Sequence, residues 1–260
     1  MSPAIHFTAI VDARAKLGAK VTVGPYTIID GEVEVGEGTA IGAHNVITGR
    51  TKIGRDNRIF HFCSIGEANQ DKKYRGEPTE VVIGDRNTIR EYCSINRGTV
   101  QDGGVTRVGN DNWLMAYVHI AHDCQVGDNT VFANNATLAG HVEIGDWTVL
   151  GGFVGVHQHV KVGAHVMAGI SAVVTQDVPP FITIAGNPTA PHGLNAEGLK
   201  RRGFSPEAIS ALKRSYKTLY KSGLSLAEAR AELEKQAAEC PEVRTLADFL
   251  ATSTRGILRG

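Results

Sequence analysis

The feature that most constrains the fold of this 260-residue sequence is an aliphatic residue at every sixth position. The pattern stays in phase from Ile5 to Ile65 and returns in two later runs, the last ending at Val174. An α-helix repeats near 3.6 residues and a plain strand near 2, so neither keeps a strict phase of six. A short strand followed by a corner in every six residues keeps this phase, and three such units close a triangular coil. The repeat therefore predicts a parallel β-helix.

Two other positions of the repeat indicate how it packs. Glycine often follows the aliphatic residue directly, as at Gly24 and Gly36, where we expect the chain to bend sharply. Small side chains stand two residues before the aliphatic position, and Cys63, Cys93 and Cys124 occupy this slot. We therefore predict that these cysteines are buried core residues with no catalytic or metal-binding role.

The repeat is interrupted twice and then stops. The interruptions predict inserted loops near 67–80 and 98–106. Residues 176–193 are rich in proline and glycine, which is typical of an exit from a repeat. We predict a mainly β domain of hexapeptide repeats over 1–186 and a C-terminal α-helical domain over 187–260.

The tail carries clear helix signals. Ser205-Pro206 predicts a serine cap followed by a proline in the first turn, and this helix should end near Gly223. The capping-box pattern Ser225–Glu228 opens a second helix. A third is predicted from Glu242 to about Thr252.

Composition excludes several function classes. The formal net charge is zero, which argues against a nucleic-acid binder or a membrane-surface protein. The first residues show no secretory signal, and no apolar run approaches the roughly 20 residues of a membrane span. The four cysteines form no CxxC pair, so we expect a reducing, cytoplasmic location.

Folding the sequence into coils of three repeats brings polar residues together. Residues one coil apart then stack about 4.8 Å apart. His122 stacks on Gly140, and Asp123 stacks on His141. The residues that fall on this edge are His119, His122, Asp123, Gly140, His141, His157, Gln158 and His159.

This cluster predicts acyl transfer to a hydroxyl group. A histidine beside a carboxylate, His122 and Asp123, is suited to general-base catalysis. The backbone N–H of Gly140 can reach a developing oxyanion without side-chain obstruction. No serine or cysteine is paired with a base in a recognisable motif, so a covalent acyl-enzyme is not expected.

Longer motifs carry a resemblance to a known family. The repeat itself is similar to the hexapeptide-repeat transferases, whose β-helices are left-handed and assemble as trimers. These motifs are NQDKKYRGEP (69–78), IAHDC (120–124), LAGHV (138–142), VHQH (156–159), EGLKRRGFS (197–205) and STRGI (253–257). Together they resemble the UDP-N-acetylglucosamine 3-O-acyltransferase family of lipid A biosynthesis.

The resemblance implies a reaction and its partners. An (R)-3-hydroxyacyl group would pass from acyl carrier protein to the 3-hydroxyl of UDP-N-acetylglucosamine, the first step of lipid A biosynthesis. The enzyme would be a cytoplasmic homotrimer that uses neither a metal nor another cofactor, and binds no nucleic acid.

The resemblance also assigns roles to residues. His122 would be the general base, Asp123 the group that orients it, and the Gly140 amide the oxyanion donor. The other positions carried over are Gln70, Asp71 and Lys73 for the sugar; His119, His141, His157 and Gln158 for the pocket; and Asn195, Glu197, Arg201 and Arg202 for the nucleotide. The segment from Lys200 to Lys221 contains seven basic residues and one acidic residue, Glu207. Such a basic patch is suited to phosphates and to an acidic carrier protein.

Ile170 is predicted to set the acyl length. In the family this position is the floor of the acyl pocket, where glycine admits a long chain and a bulky residue shortens it. The implied preference is for chains shorter than 3-hydroxymyristoyl by about two to four carbons. The alternative is that Ile170 packs between subunits.

Asp71 appears about three coils from His122, roughly 14 Å along the axis, which predicts sites shared between chains. Two positions depart from the family, His159 where an aromatic residue is expected and Asn96 where histidine is.

Three other functions remain open. One is a different hexapeptide-repeat acyltransferase. Another is a zinc-dependent trimer resembling carbonic anhydrases, because His119 and His122 are three residues apart and a neighbouring subunit could supply a third ligand. The last is a non-enzymatic trimeric scaffold.

Overall fold

A computed structural model describes residues 2–253 and 256–259 of the chain. This described part forms 28 short strands, a 3-10 helix at Val100–Asp102 and four α-helices. Thr254 and Arg255 of the STRGI motif lie outside the described residues. The strands are β1 Ala4–Ile5, β2 Ile10–Val11, β3 Lys16–Leu17, β4 Thr22–Val23, β5 Ile28–Asp30, β6 Val33–Val35, β7 Ala40–Ile41, β8 Val46–Thr48, β9 Arg50–Ile53, β10 Arg58–Ile59, β11 Ser64–Glu67, β12 Glu80–Ile83, β13 Thr88–Ile89, β14 Ser94–Asn96, β15 Val105–Val108, β16 Trp113–Leu114, β17 His119–Ile120, β18 Gln125–Val126, β19 Val131–Phe132, β20 Thr137–Leu138, β21 Glu143–Ile144, β22 Val149–Leu150, β23 Gly155–Val156, β24 Lys161–Val162, β25 Met167–Ala168, β26 Val173–Val174, β27 Ile182–Ala185 and β28 Ala190–Leu194.

Successive strands belong to three sheets in turn. The first sheet contains β1, β4 and every third strand to β25; the second runs from β2 to β26 and the third from β3 to β24 in the same way. Neighbouring strands are parallel, and away from the insertions they pair residues 18 apart, as His119 pairs with Thr137. The chain is a left-handed parallel β-helix, which confirms the predicted fold.

From Val23 to Val174, the aliphatic residue of each repeat is buried in the interior. Ile29, Ile65 and Leu138 are fully buried, and the removal of this apolar surface from water is the main stabilising contribution. The small-residue slot is buried as well. Cys63 and Cys93 lie there as free thiols, as does Cys124, so their prediction as core residues is confirmed.

Three kinds of corner join the sheets. The first corner leads from the first to the second sheet, as at 115–118; the second corner leads from the second to the third, as at 121–124; the third corner leads back to the first, as at 145–148. Corner residues such as Asp123 and His141 have φ of 60° and 62°, in the left-handed region.

Our interpretation of the glycines as bending points is wrong for Gly24 and Gly36, because the left-handed bend occurs at other residues. These glycines are required by close approach of the next coil. A Cβ on Gly24 would lie 2.7 Å from the carbonyl carbon of Gly42.

Both insertions leave the β-helix at the second corner. Ser64 pairs with Ser94, a step of 30 residues, and Ser94 pairs with His119, a step of 25. Compared with the ordinary step of 18, the two loops add 12 and 7 residues. They follow β11 and β14 and rejoin at β12 and β15.

The prediction that the chain leaves the β-helix as a loop over residues 176–193 is wrong in part. Strand β27 continues the first sheet in parallel with β25, and β28 then pairs with β27 in the antiparallel sense. A short apolar run, Ile182–Ala185, therefore forms one more strand despite the surrounding prolines.

The tail helices are α1 Ala196–Arg201, α2 Pro206–Tyr220, α3 Leu226–Ala237 and α4 Pro241–Thr252. The Ser205 cap and the Ser225–Glu228 capping box are both present, which confirms those helix starts. Helix α1, capped by Asn195, is an element that the sequence analysis missed. Among helices of residues 2–253 and 256–259, none has the length and apolar character to cross a membrane.

Candidate active site

The site predicted from the repeat lies on the second corner, where three successive coils and both inserted loops meet. A cavity of about 660 Å³ opens there. Its lining includes most of the predicted residues. They are Gln70, Asp71, Lys73, His119, His122, Gly140, His141 and Gln158, together with Lys72, Asn96, Ala121, Ala139 and His159. His157 is exposed and lies outside this lining.

His122 and Asp123 form a hydrogen-bonded pair. The distance between Nδ1 of His122 and Oδ2 of Asp123 is 2.9 Å. An ionised carboxylate can only accept, so Nδ1 of the ring is the donor and Nε2 keeps its lone pair. This tautomer is the one that a histidine general base needs.

Asp123 is buried, with 3% of its surface exposed, and its charge is held by several donors. The backbone N–H of Thr99 donates to both carboxylate oxygens, at 2.9 and 3.0 Å, and its hydroxyl donates to Oδ2 at 2.7 Å. Burial alone would raise the pKa of Asp123, but hydrogen bonds from His122 and Thr99 outweigh it and lower the pKa below its usual value. The carboxylate is therefore ionised near neutral pH.

Gly140 lies directly against the His122 ring. A Cβ at this position would be 2.5 Å from Cε1 and 2.7 Å from Nε2 of the ring, so a larger residue would displace the ring from this position. Within residues 2–253 and 256–259, the N–H of Gly140 donates to no backbone carbonyl. This N–H is therefore not used by the backbone hydrogen bonds of the β-helix.

The other histidines surround this pair. The rings of His122 and His141 are 4.9 Å apart and perpendicular, and those of His141 and His159 stack at 4.3 Å. His119 shares a 2.7 Å hydrogen bond with the Ser94 hydroxyl. Burial and the proximity of His122 lower the pKa of His119, which is therefore neutral at pH 7.

The first inserted loop reaches the same cavity within one chain. Gln70, Asp71 and Lys73 share its lining with His122. The strand before this loop, β11, is two pairings from β17, not three coils, and the loop folds over the second insertion. The argument that Asp71 and His122 need separate chains is therefore wrong.

The predicted nucleotide residues lie elsewhere. Asn195 caps α1 and donates to the carbonyl of His165 at 2.9 Å, while Nη1 of Arg202 lies 3.2 Å from Nδ1 of the His165 ring. The Arg202 guanidinium also lies over the Trp147 ring. His165 and Trp147 belong to the third corner, so this set is not brought to the cavity in one chain.

His165 is held neutral at this third corner. Burial, with a smaller effect of the Arg202 charge, lowers the pKa of His165 to about 4. Its ring nitrogen can then accept a hydrogen bond from Arg202. Glu197 and Arg201 of the same segment are exposed.

One group in the cavity has the spacing of a metal site. Ligand atoms of His122, Asp123 and His141 lie within 4.8 Å of one another. His119, the ligand expected from sequence spacing, is not part of that group. The Asp123 oxygens already accept hydrogen bonds from Thr99 and His122, so a metal ion would have to replace existing bonds.

The chain is similar to known proteins over nearly its whole length. Residues 177–258 match the family described as Udp N-acetylglucosamine O-acyltransferase, Domain 2, and 106–140 match the bacterial transferase hexapeptide family. An acyl-[acyl-carrier-protein]–UDP-N-acetylglucosamine O-acyltransferase of Thiobacillus denitrificans is 64% identical over 255 residues, covering 98% of this chain and 99% of the relative. The chain belongs to the UDP-N-acetylglucosamine O-acyltransferase family.

A solved structure of this O-acyltransferase family agrees with the fold. The UDP-N-acetylglucosamine O-acyltransferase of Moraxella catarrhalis RH4 superposes with a TM-score of 0.97 at 45% identity, over 98% of this chain and 99% of that one. The family predicted from the motifs is confirmed.

Ile170, the expected acyl-length residue of this O-acyltransferase, lies on the first corner and is 71% exposed. The second sheet separates it from His122. It can contact an acyl chain that starts at His122 only if the chain crosses the outer face of that sheet, or if Ile170 comes from a neighbouring subunit.

Several residues of the site were not found by sequence reasoning. Thr99 and Lys72 stand in loops without the repeat, so nothing in the phase of the hexads indicates their position. Asn96 was noted only as a departure from the O-acyltransferase family, yet it lines the cavity. His159 was placed on this edge by its position one coil beyond His141, and it does line the cavity, with its ring stacked on that of His141.

Proposed function

We propose that this protein transfers an (R)-3-hydroxyacyl group from acyl carrier protein to the 3-hydroxyl of UDP-N-acetylglucosamine, the first step of lipid A biosynthesis. The proposal rests on family membership and on one observation: a buried, ionised Asp123 holds His122 in the tautomer of a base, against a glycine amide. A cavity with an aspartate and two lysines beside this pair suits a sugar hydroxyl acceptor.

In the proposed mechanism, His122 acts as general base. Its Nε2 removes the proton of the 3-hydroxyl as the oxygen attacks the thioester carbonyl, and Asp123 stabilises the imidazolium that forms. The Gly140 N–H donates to the oxyanion of the tetrahedral intermediate. When this collapses, the carbon–sulfur bond breaks and the thiolate takes the proton from His122. No covalent acyl-enzyme is formed.

The basic face of α2 supports docking of the carrier protein. Lys213, Arg214, Lys217 and Lys221 recur along one side of the helix and are exposed, while Ala208 and Leu212 face the core. Acyl carrier proteins are acidic, so this face offers complementary charge and faster encounter.

A homotrimer is also part of the proposal, and the outer faces of the sheets support it. At the position before the buried aliphatic residue, the second sheet presents uncharged residues outward, including Ile10, Ile28 and Val46, whereas the third sheet presents charges such as Lys16 and Glu34. Along the first corner five exposed rings stack at 4.8–5.1 Å. They are Tyr26, His44, Phe62, Tyr92 and Tyr117. An uncharged face bordered by exposed aromatic residues is typical of an interface.

A direct assay tests the proposed function. The protein is incubated with UDP-N-acetylglucosamine and 3-hydroxyacyl carrier proteins of graded chain length, and the nucleotide-sugar product is measured by mass spectrometry. We expect O-acylation at the 3-position. A preference for a different acceptor, tested in parallel with other hydroxyl compounds and amines, would indicate another hexapeptide-repeat acyltransferase, and the absence of any transfer would support a scaffold.

The spacing of His122, Asp123 and His141 makes a metal-dependent enzyme the second candidate. We expect a chelator such as EDTA, followed by gel filtration, to leave the acyltransferase rate unchanged, because no step proposed here needs a Lewis acid. Added zinc should not raise the rate. A rate that falls on chelation and returns with zinc would contradict this mechanism and favour the carbonic-anhydrase-like alternative.

Ile170 should limit acyl length. Its branched side chain is stiff, so it cannot swing aside for a longer chain. We expect a preference for donors about two to four carbons shorter than 3-hydroxymyristoyl, and Ile170→Gly should shift the preference to longer donors, with each methylene worth about 1–3 kcal/mol. Competition between donors on both proteins measures this. Ile5→Gly, which changes another exposed isoleucine in the first coil, is the control, and an unchanged preference in Ile170→Gly would favour simple packing between subunits.

A further inference from the structure

A single residue of the second inserted loop holds the carboxylate of the proposed catalytic pair. Thr99 is itself 3% exposed and donates to Asp123 through both its N–H and its hydroxyl. The neighbouring Gly98 leaves room for this contact, because a Cβ there would lie 2.6 Å from Oδ1 of Asp123. The His122 ring donates to the same carboxylate at 2.9 Å.

The same segment is connected to the first inserted loop. The side-chain amide of Asn69 donates to the carbonyl of Gly98 at 2.9 Å, and its carbonyl accepts from the N–H of Asp71 at 3.2 Å. Asn96 donates to the carbonyl of Ala68 at 3.2 Å. A continuous set of hydrogen bonds therefore runs from His122 through Asp123 and the 96–99 segment to the loop that carries Asp71.

We propose that Thr99 is a positioning residue for the reaction, which fixes the Asp123 carboxylate so that it holds His122 as the Nδ1–H tautomer. This inference rests on the proposed function, in which His122 is the base. Thr99 does not touch the substrate, and it acts on the reaction only through Asp123. Because the 96–99 segment also forms hydrogen bonds with the loop that carries Asp71, Thr99 links the position of the base to that of the proposed sugar-binding loop.

Thr99→Val tests the proposal, since valine matches threonine in shape and keeps the backbone N–H. The expected result is a kcat about 10- to 100-fold lower, as for loss of a hydrogen bond to a charged group, with little change in KM. Nitrogen-15 NMR of the His122 ring should show a mixture of tautomers in place of one. Thr99→Ser, which keeps the hydroxyl, should restore both readouts.

Thr39→Val is the matched control. Thr39 is equally buried, and its hydroxyl donates to the Gly54 carbonyl, far from the cavity. Loss of kcat with an unchanged His122 tautomer, or equal behaviour of Thr99→Val and Thr39→Val, would overturn the positioning role. The tautomer is read without turnover, so a shift in Thr99→Val supports the role of Thr99 in fixing the His122 ring even if His122→Ala proves active, a result that would contradict only general-base catalysis by His122.

Discussion

Replacing His122 with alanine is expected to lower kcat by at least about 10²–10⁴-fold, the usual contribution of a general base. The imidazole is needed most when the hydroxyl proton is transferred, so KM for the nucleotide sugar should change little. The fold should persist, because the ring lies at a corner against Gly140 and His141 and outside the aliphatic interior. Steady-state rates with saturating donor, together with the melting temperature, measure both effects.

The control is His6→Ala, which removes a corner histidine from the first coil, outside the lining of the cavity. It should retain full activity. Near-normal turnover in His122→Ala would contradict general-base catalysis by this residue, whatever the behaviour of the control.

The β-helix could be predicted because its repeat converts sequence spacing into geometry. Each hexad places one residue inside, so the burial of Ile29, Ile65 and Leu138 follows from their phase alone. Strand β27 escaped prediction because the repeat lost its phase before Ile182, although the first sheet still offered an edge with which this segment could pair. The surrounding prolines and glycine predict a loop, but pairing with β25 makes this segment a strand.

The same reasoning explains which parts of the site were predictable. His122 and Gly140 lie one coil apart, and the close contact between them follows from the repeat. Thr99 and Asp71 stand in loops that have no equivalent in neighbouring coils, so counting coils misplaced Asp71 and gave no indication of Thr99. The position of such loops depends on specific hydrogen bonds, for example that between Asn69 and Gly98, which a single sequence does not reveal.

The predicted catalytic residues and the predicted nucleotide-binding residues lie apart within one chain. This separation leads to a second prediction with a large expected effect on activity. His122 lies on the second corner, whereas Arg201 is carried by α1, next to the third corner. If both groups bind one nucleotide sugar, a neighbouring subunit must supply one of them. Each site of the proposed trimer would then combine the cavity of one chain with the α1 segment of another.

Mixing two inactive proteins, His122→Ala and Arg201→Glu, should therefore restore activity. Arg201→Glu places a negative charge near the phosphates, and its side chain is exposed, so the fold should be retained. Random exchange of subunits leaves about a quarter of the sites with both native residues, and we expect roughly that fraction of the native rate.

Mixing His122→Ala with Asp71→Ala is the control and should restore nothing, because those residues share a cavity within one chain. The tests are co-expression with two affinity tags, native mass spectrometry to verify mixed trimers, and the acyl-transfer assay. Mixed trimers without activity in the first pair would show that α1 of a neighbouring subunit does not complete the site.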